Sequence, residues 1–147
     1  MSMNTNVRQL LDKKGNEVYS ISADITVFEA ITLMSVHEVG ALVVMENDKL
    51  VGIISERDYT RKVILKNRSS KSTSVREIMT SKIICVTPEN SIEECMLLMA
   101  KHRIRHLPVI ENDKVAGILT VMDAVKTTIS EKEFIIEQLE HYITGSG

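Results

Sequence analysis

One phrase occurs twice in the chain, and the side chains at its end could take part in chemistry. Residues 46–58 read ENDKLVGIISERD, and residues 111–123 read ENDKVAGILTVMD. Each copy places a hydroxyl three residues before a carboxylate, in the pairs Ser55 with Asp58 and Thr120 with Asp123. Such a pair is typical of a capping box at the start of a helix. Because an ionised aspartate accepts hydrogen bonds at two oxygens, it also suits the neighbouring hydroxyls of a ribose.

Basic residues near the phrase could bind phosphate, which the aspartates would repel. Arg57 directly precedes Asp58, and the segment HRIRH supplies His102, Arg103, Arg105 and His106. Arginine forms charge-assisted hydrogen bonds with phosphate. The alternative interpretation of HRIRH is a solvated helix end, where cations complement the helix dipole. Gly52 and Gly117 carry no side chain, so a ligand could approach the backbone closely there.

The phrase belongs to a longer internal repeat. When the offset between Gly52 and Gly117 is held, the match extends back without a gap to Glu29 on Glu94. Short repeats usually build solenoids, which need about three or more units. Two longer units instead predict two halves that face each other about a pseudo-twofold axis.

Each unit predicts the same order of elements. An extended run (EVYSI in one unit, IICV in the other) precedes a stretch with apolar residues at helical spacing (TVFEAITLMSVHE and SIEECMLLMAKHR). Thr26 and Ser91 lie three residues before Glu29 and Glu94, which predicts two capping boxes. Two apolar runs separated by ENDK predict a hairpin, and a second helix follows it. We therefore predict an α+β fold of two β-α-β-β-α repeats, packed together because neither sheet would bury both faces alone.

The predicted division of the chain has five parts. These are an N-terminal linker helix (1–16), a first repeat (17–66), a linker with a short helix (67–80), a second repeat (81–130) and a C-terminal helix extension (131–147). The polar run KNRSSKSTS predicts a mobile linker. The last helix is predicted from Val121 to Ile143, and its apolar residues beyond the repeat are Phe134, Ile135, Leu139 and Ile143. This stripe predicts a surface for a partner, and we expect a homodimer.

Composition argues against several classes of protein. A formal net charge of −2 and an aromatic share of 3% make a nucleic-acid partner unlikely. No apolar run approaches the ~18 residues that span a bilayer, so no membrane partner is expected. The N-terminus has no apolar core of a secretory signal. Cys85 and Cys95 lie in apolar stretches, which predicts buried, reduced thiols and a cytoplasmic location.

An enzyme is the main rival class. The histidines and cysteines could form a nucleophile or metal site, and His102 and His106 have metal-ligand spacing if they lie on one helix. However, RHLPVI predicts a strand, and no CxxC or HExxH occurs. We therefore predict no catalytic residues and no metal site.

The two G-h-h-[ST]-x-x-D phrases, the segment RIRHLPVI and the doubled β-α-β-β-α unit closely resemble a tandem pair of cystathionine-β-synthase (CBS) domains, or Bateman module. The resemblance covers the chain from about Val7 to Ile129. It implies a disc-forming, non-catalytic regulatory module without an obligatory cofactor. Such a module binds an adenine nucleotide (AMP, ADP, ATP or NAD), or alternatively S-adenosylmethionine, between its sheets and signals energy or redox state to a separate, unidentified protein. The alternatives are a ligand-free dimerisation or scaffold module and, less favoured, a nucleic-acid-binding regulator.

The resemblance also implies roles for individual residues. Thr120 and Asp123 would hold the ribose in one cleft, and Ser55 and Asp58 the ribose in the other. The implied phosphate-binding residues are Arg57, Arg103, Arg105 and His106, and the implied adenine-pocket residues are Ile104 and Pro108. The first unit has Gly40-Ala41 where the second has Arg105-His106, so the clefts are expected to differ.

Overall fold

The computed structural model describes residues 5–144. Its helices and strands follow in the order α1 (Val7–Lys14), β1 (Ser20–Ile21), α2 (Val27–His37), β2 (Ala41–Glu46), β3 (Lys49–Ser55), α3 (Glu56–Tyr59), α4 (Val75–Ile78), α5 (Ile92–His102), β4 (His106–Glu111), β5 (Lys114–Thr120) and α6 (Val121–Thr144). A π-helical turn, Thr60–Ile64, continues α3. The fold is α+β and contains the two predicted repeats.

Both predicted hairpins are present, with matching registers. Strand β2 pairs antiparallel with β3, and β4 pairs antiparallel with β5. Ala41 lies opposite Ser55 in the first hairpin, and His106 lies opposite Thr120 in the second. Each hairpin has one register shift at the same relative position, after Val44 and after Val109. The repeated sequence therefore produces a repeated backbone down to its irregularity.

The first strand of each unit is shorter than predicted. Strand β1 has two residues and pairs parallel with β2. The prediction of a strand over IICV was wrong, because in the described chain this run makes only an isolated bridge between Val86 and Val109. Cys85 is exposed, so its predicted burial was also wrong. Its neighbour Val86 points into the core, and alternation along an extended segment turns Cys85 outward. Cys95 is buried as predicted.

The long helices begin at the predicted caps. The Thr26 hydroxyl accepts a hydrogen bond from the Glu29 amide at 3.1 Å. Ser91 accepts from the Glu94 amide, and the Glu94 carboxylate in return accepts from the Ser91 amide at 3.1 Å. The predicted capping box is therefore complete at Ser91, but the prediction of a second box was wrong, because at Thr26 the reciprocal bond from the Glu29 side chain is not formed. Satisfied amides at the first turn explain why both helices start at the same relative position.

The two short helices, α1 and α4, each pack against the repeat that they do not directly precede in the sequence. Helix α1 precedes the first repeat, but the Val7 amide donates to the Asn90 carbonyl at 2.9 Å and Leu11 packs in the core of the second repeat. Helix α4 precedes the second repeat, but Val75 packs in the core of the first. The linker ends in the buried Thr73, which shows that its last part is held by packing. The core of each repeat therefore includes the short helix that precedes the other repeat in the sequence.

Helix α6 has two parts with different surroundings. Ala124 is buried near its start, whereas residues 132–143 are all exposed. The exposed part carries five large apolar residues and a tyrosine, namely Phe134, Ile135, Ile136, Leu139, Tyr142 and Ile143. Within residues 5–144, no helix combines the length and apolar character that crossing a bilayer requires.

Candidate functional site

A cavity of about 450 Å³ lies between the two repeats. The first repeat contributes the end of β3 and the start of α3, and the second contributes the segment between α5 and β4. The cavity is lined by all of the predicted site residues except Thr120 and Asp123, namely Ser55, Arg57, Asp58, Arg103, Ile104, Arg105, His106 and Pro108. The fold therefore combines the hydroxyl–carboxylate pair of one repeat with the basic segment of the other.

Ser55 and Asp58 form a complete capping box. The Asp58 Oδ2 atom accepts hydrogen bonds from the Ser55 amide at 3.0 Å and from the Ser55 hydroxyl at 3.1 Å. The other oxygen, Oδ1, lies 3.1 Å from Lys62 Nζ and 3.4 Å from the Thr80 hydroxyl. The Asp58 side chain is only 13% exposed, so these contacts hold it at the cavity wall. Capping and ligand binding are compatible, because each carboxylate oxygen can accept more than one hydrogen bond.

The cavity lining is rich in cations. Six arginine and lysine side chains line it, against the two carboxylates of Glu56 and Asp58; the cations are Arg57, Arg61, Lys62, Lys82, Arg103 and Arg105. Arg57 Nη1 donates to the Arg103 carbonyl at 3.0 Å, which ties the two repeats together at the cavity. This excess of positive charge in a partly enclosed space attracts an anion.

Three of these cations were missed as site residues. Arg61 and Lys62 lie one helical turn after Asp58, and that spacing could have placed them on the same face. Lys82 has no comparable local signal. It reaches the cavity because the chain after α4 runs back along β3, where the Thr80 and Ile53 amides exchange hydrogen bonds with each other's carbonyls at 2.9 and 3.0 Å.

Apolar side chains form another part of the lining. Ile104 and Pro108, the residues implied for an adenine pocket, lie in the wall together with Ile53, Ile83 and Ile84. Flat apolar surface beside a few polar groups is the usual composition of a pocket for a small organic molecule. The cavity thus offers polar acceptors such as the Asp58 carboxylate, several cations and an apolar wall.

His106 lies between the cavity and the second hydroxyl–carboxylate pair. Burial lowers the pKa of its imidazole, the charges of Lys14 and Arg105 lower it further, and Asp123 opposes the shift. Its ring packs beside Gly40, where an added Cβ would lie 3.5 Å from the imidazole and 3.3 Å from Glu56. Gly40 therefore leaves the space that the His106 ring and the Glu56 carboxylate use at the cavity.

Thr120 and Asp123 have the same cap but a different environment. The Asp123 carboxylate accepts from the Thr120 amide at 2.9 Å, and the Thr120 hydroxyl accepts from the Asp123 amide at 3.1 Å. Lys14 Nζ lies 2.5 Å from Asp123 Oδ2 and donates to the Ile118 carbonyl at 2.7 Å. Burial alone would raise the pKa of Asp123, but the hydrogen bonds from Lys14 and the Thr120 amide lower it below its ordinary value.

Metal chemistry receives no support from side-chain geometry. Among residues 5–144, no three histidine, cysteine, aspartate or glutamate side chains are grouped closely enough to hold a metal ion. His102 ends α5 and His106 begins β4, so the two do not share a helical face. The spacing that suggested a metal pair belongs to a helix that ends before His106.

Comparisons with known proteins agree with this architecture. The family described as CBS domain matches the chain twice, over residues 7–64 and 75–129. The chain is 45% identical over 129 residues to the mitochondrial CBS domain-containing protein CBSX3 of Arabidopsis thaliana, covering 84% of this chain and 63% of that one. The chain therefore spans less than two thirds of this plant relative.

Solved structures share the fold. A crystal structure of a CBS-domain containing protein from Agrobacterium tumefaciens has a TM-score of 0.81 and 34% identity, covering 84% of this chain and 99% of that one. A hexameric CBS-CP12 protein from bloom-forming cyanobacteria has a TM-score of 0.76 and 30% identity, covering 84% of this chain and 68% of that one. The aligned part of this chain therefore accounts for nearly all of the Agrobacterium tumefaciens chain.

Proposed function

The chain belongs to the CBS domain family, and we propose that it is a non-catalytic regulatory module that binds an adenine nucleotide between its two repeats. CBS pairs are regulatory and often bind adenosine ligands. The proposed ligand is of the AMP, ADP, ATP or NAD type, and its binding reports energy or redox state to a separate protein. No obligatory cofactor is part of the proposal.

The observation that carries this proposal is the combination of groups around the cavity. Asp58 supplies a carboxylate for ribose hydroxyls, with Ser55 holding it in place. The apolar residues Ile104 and Pro108 suit one face of a planar base. The six cations suit phosphates, which the carboxylate itself would repel.

The charge of the lining narrows the ligand class. A lining with six cations and two carboxylates favours a ligand with phosphate groups over a neutral nucleoside or a cationic adenosine derivative. We therefore place nucleotides ahead of adenosine and of S-adenosylmethionine as ligands. Among the nucleotides, the excess of cations favours those with two or more phosphates over AMP.

A thermal-shift series tests the proposal. The full chain is heated with ATP, NAD, AMP, adenosine or GTP, and the melting temperature is measured at each concentration. A ligand that binds only the folded state adds RT ln(1 + [L]/Kd), which is about 2.7 kcal/mol at a hundredfold excess over Kd. We expect the largest increases in melting temperature with ATP or NAD, and smaller increases with adenosine and with GTP.

Two results would reject parts of this proposal. Equal melting-temperature shifts with ATP and GTP would reject the proposal that the cavity recognises adenine. Equal shifts with ATP and adenosine would reject the proposal that the cations bind phosphate. No shift with any of these compounds would favour the ligand-free scaffold instead, and native mass spectrometry of freshly purified protein would then show the chain without a bound small molecule.

We also propose that the chain forms a homodimer through the exposed part of α6. This part extends beyond the packed repeat with apolar residues such as Phe134, Ile135 and Leu139 in water. Apolar surface of this kind gains free energy when it is removed from water, so a second helix that covers this face would stabilise it. A second copy presents the same apolar face and can pair with it symmetrically. The hexameric state of the cyanobacterial neighbour adds a precedent for self-association in this family.

The location of the protein stays a prediction. The two free cysteines agree with a reducing compartment such as the cytoplasm. The plant relative, in contrast, is named as mitochondrial.

A further inference from the structure

The backbone around Thr120 and Asp123 in the second repeat matches the backbone around Ser55 and Asp58 in the first, but a lysine from α1 lies against Asp123. Thr120 and Asp123 reproduce the cap of Ser55 and Asp58, with amide–carboxylate distances of 2.9 and 3.0 Å. Both pairs also stand at the same place in their hairpins, with Thr120 opposite His106 and Ser55 opposite Ala41. The backbone frame is therefore equivalent in the two repeats, and the difference lies in the side chains that surround it.

Lys14 closes the space in front of Asp123. Its ammonium lies 2.5 Å from Asp123 Oδ2 and 2.7 Å from the Ile118 carbonyl, so it contacts both the backbone of β5 and the first turn of α6. The two side chains are 31% and 19% exposed, so the pair is partly shielded from water. A ribose that hydrogen-bonded to both oxygens of the Asp123 carboxylate would have to displace this ammonium from Oδ2 and leave it without its partner.

Lys14 reaches Asp123 because the two short helices, α1 and α4, differ in length. Leu11 of α1 faces Gly117, just as Met79, directly after α4, faces Gly52, which places the two helices equivalently on their hairpins. Helix α4 has four residues and ends at Ile78. Helix α1 has eight residues and continues to Lys14, nearly one turn beyond Leu11. That extra length carries the Lys14 ammonium to Asp123.

In the first cleft the lysine at the equivalent position is Lys82, three residues after Met79 as Lys14 is after Leu11, and it lines the open cavity. The chain after α4 leaves the helix and runs along β3, and the Thr80 hydroxyl is what it places near Asp58, at 3.4 Å. The cation beside Asp58 is Lys62, from the π-helical turn that continues α3, and its side chain is 44% exposed. Lys62 lines the open cavity together with Asp58 instead of filling it.

We propose that Lys14 blocks the ribose position of the second cleft, so that each chain binds one nucleotide, and that removal of the Lys14 ammonium opens a second site. This inference rests on the proposed nucleotide-binding function of the first cleft. Lys14 is then one of the residues that make the two clefts of the pair unequal.

The test counts ATP molecules per chain by native mass spectrometry and by titration calorimetry on the full-length protein. The variants are Lys14→Met, Lys14→Gln and the double variant Lys14→Met with Asp123→Asn. Lys13→Met is the matched control, because Lys13 is the exposed preceding lysine of the same helix. We expect one ATP for the wild type and for the control, two for either Lys14 variant, and one again for the double variant. A melting curve confirms that each variant is folded, and Lys14→Gln replaces Lys14→Met if the latter does not fold.

The outcomes separate this inference from the function on which it rests. Two ATP molecules on the wild type, or one on both Lys14 variants, would overturn the blocking role of Lys14. A second site that disappears in the Lys14 variants would show that Lys14 is a ligand-binding residue, which also overturns it. Absence of ATP from every protein would overturn the nucleotide-binding function together with the inference. Binding by the Lys14 variants alone would support the block and reject the first cleft as a site.

Discussion

Replacing Asp58 with asparagine separates the capping role of this residue from its proposed binding role. Asp58→Asn keeps the size of the side chain and one oxygen that can accept a hydrogen bond from the Ser55 amide. In the wild type this amide lies 3.0 Å from Oδ2 of Asp58. It removes the negative charge that the ribose hydroxyls would use. Hydrogen bonds to charged groups contribute about 1.5–3 kcal/mol. Since 1.4 kcal/mol is about a factor of ten, the affinity for ATP should fall roughly tenfold to a hundredfold.

The effect on stability should be much smaller. A weakened cap costs about 1 kcal/mol. The ion pair with Lys62 at 3.1 Å contributes little, because the lysine is well exposed and such pairs are typically worth about 0–1 kcal/mol. We therefore expect a small shift of the urea midpoint beside a large change in the dissociation constant.

Titration calorimetry with ATP and urea denaturation, both on the full chain, measure these two quantities. Asp48→Asn is the control, because Asp48 lies in the turn of the first hairpin, away from the cavity, and asparagine tolerates its positive φ of 62°. The control should bind ATP as the wild type does. If Asp58→Asn binds ATP as tightly as the wild type while it loses stability, then Asp58 acts only as a cap and the site assignment is wrong.

Three further predictions use other parts of the molecule. Leu139→Glu on the exposed part of α6 should convert a dimer to a monomer in light scattering at low micromolar concentration, whereas a wild-type monomer would contradict the proposed role of this face. Cys85 is exposed and should react faster with a thiol reagent than Cys95, although partial burial also raises the pKa of Cys85; Cys95 is buried, with its pKa raised to about 11 mainly by that burial, and should react only after unfolding. Rapid labelling of both thiols in the native protein would argue against the described packing. The lowered pKa of Asp123 means that its ionised form stabilises the folded state, so this contribution is present above the unfolded pKa and is lost as the pH falls through the folded value. The difference in unfolding free energy between wild type and Asp123→Asn should therefore shrink on acidification below about pH 4, and a difference that stays constant would contradict the ion pair with Lys14.

The local features of this protein were determined by its sequence alone. Alternation of apolar residues and the polar ENDK turn predicted both hairpins, and Thr26 and Ser91 predicted the helix starts. These features depend on neighbouring residues, whose hydrogen bonds and periodicity can be read along the chain. The register of the repeat also predicted correctly that both phrases adopt one structure, which the equal caps at Ser55 and Thr120 confirm.

The contacts between the repeats were decided by the tertiary structure. The order of the chain suggests that α1 belongs with the first repeat, yet it packs on the second, and this exchange brings Lys14 to Asp123. The same packing brings Lys82 to the cavity around Asp58 and leaves IICV with one bridge instead of a strand. Such contacts join residues that are distant in sequence, and they depend on how whole faces of helices and sheets bury each other. Because no local pattern encodes which of two similar cores a short amphipathic helix completes, the unequal environments of the two aspartates emerge only when the chain is folded.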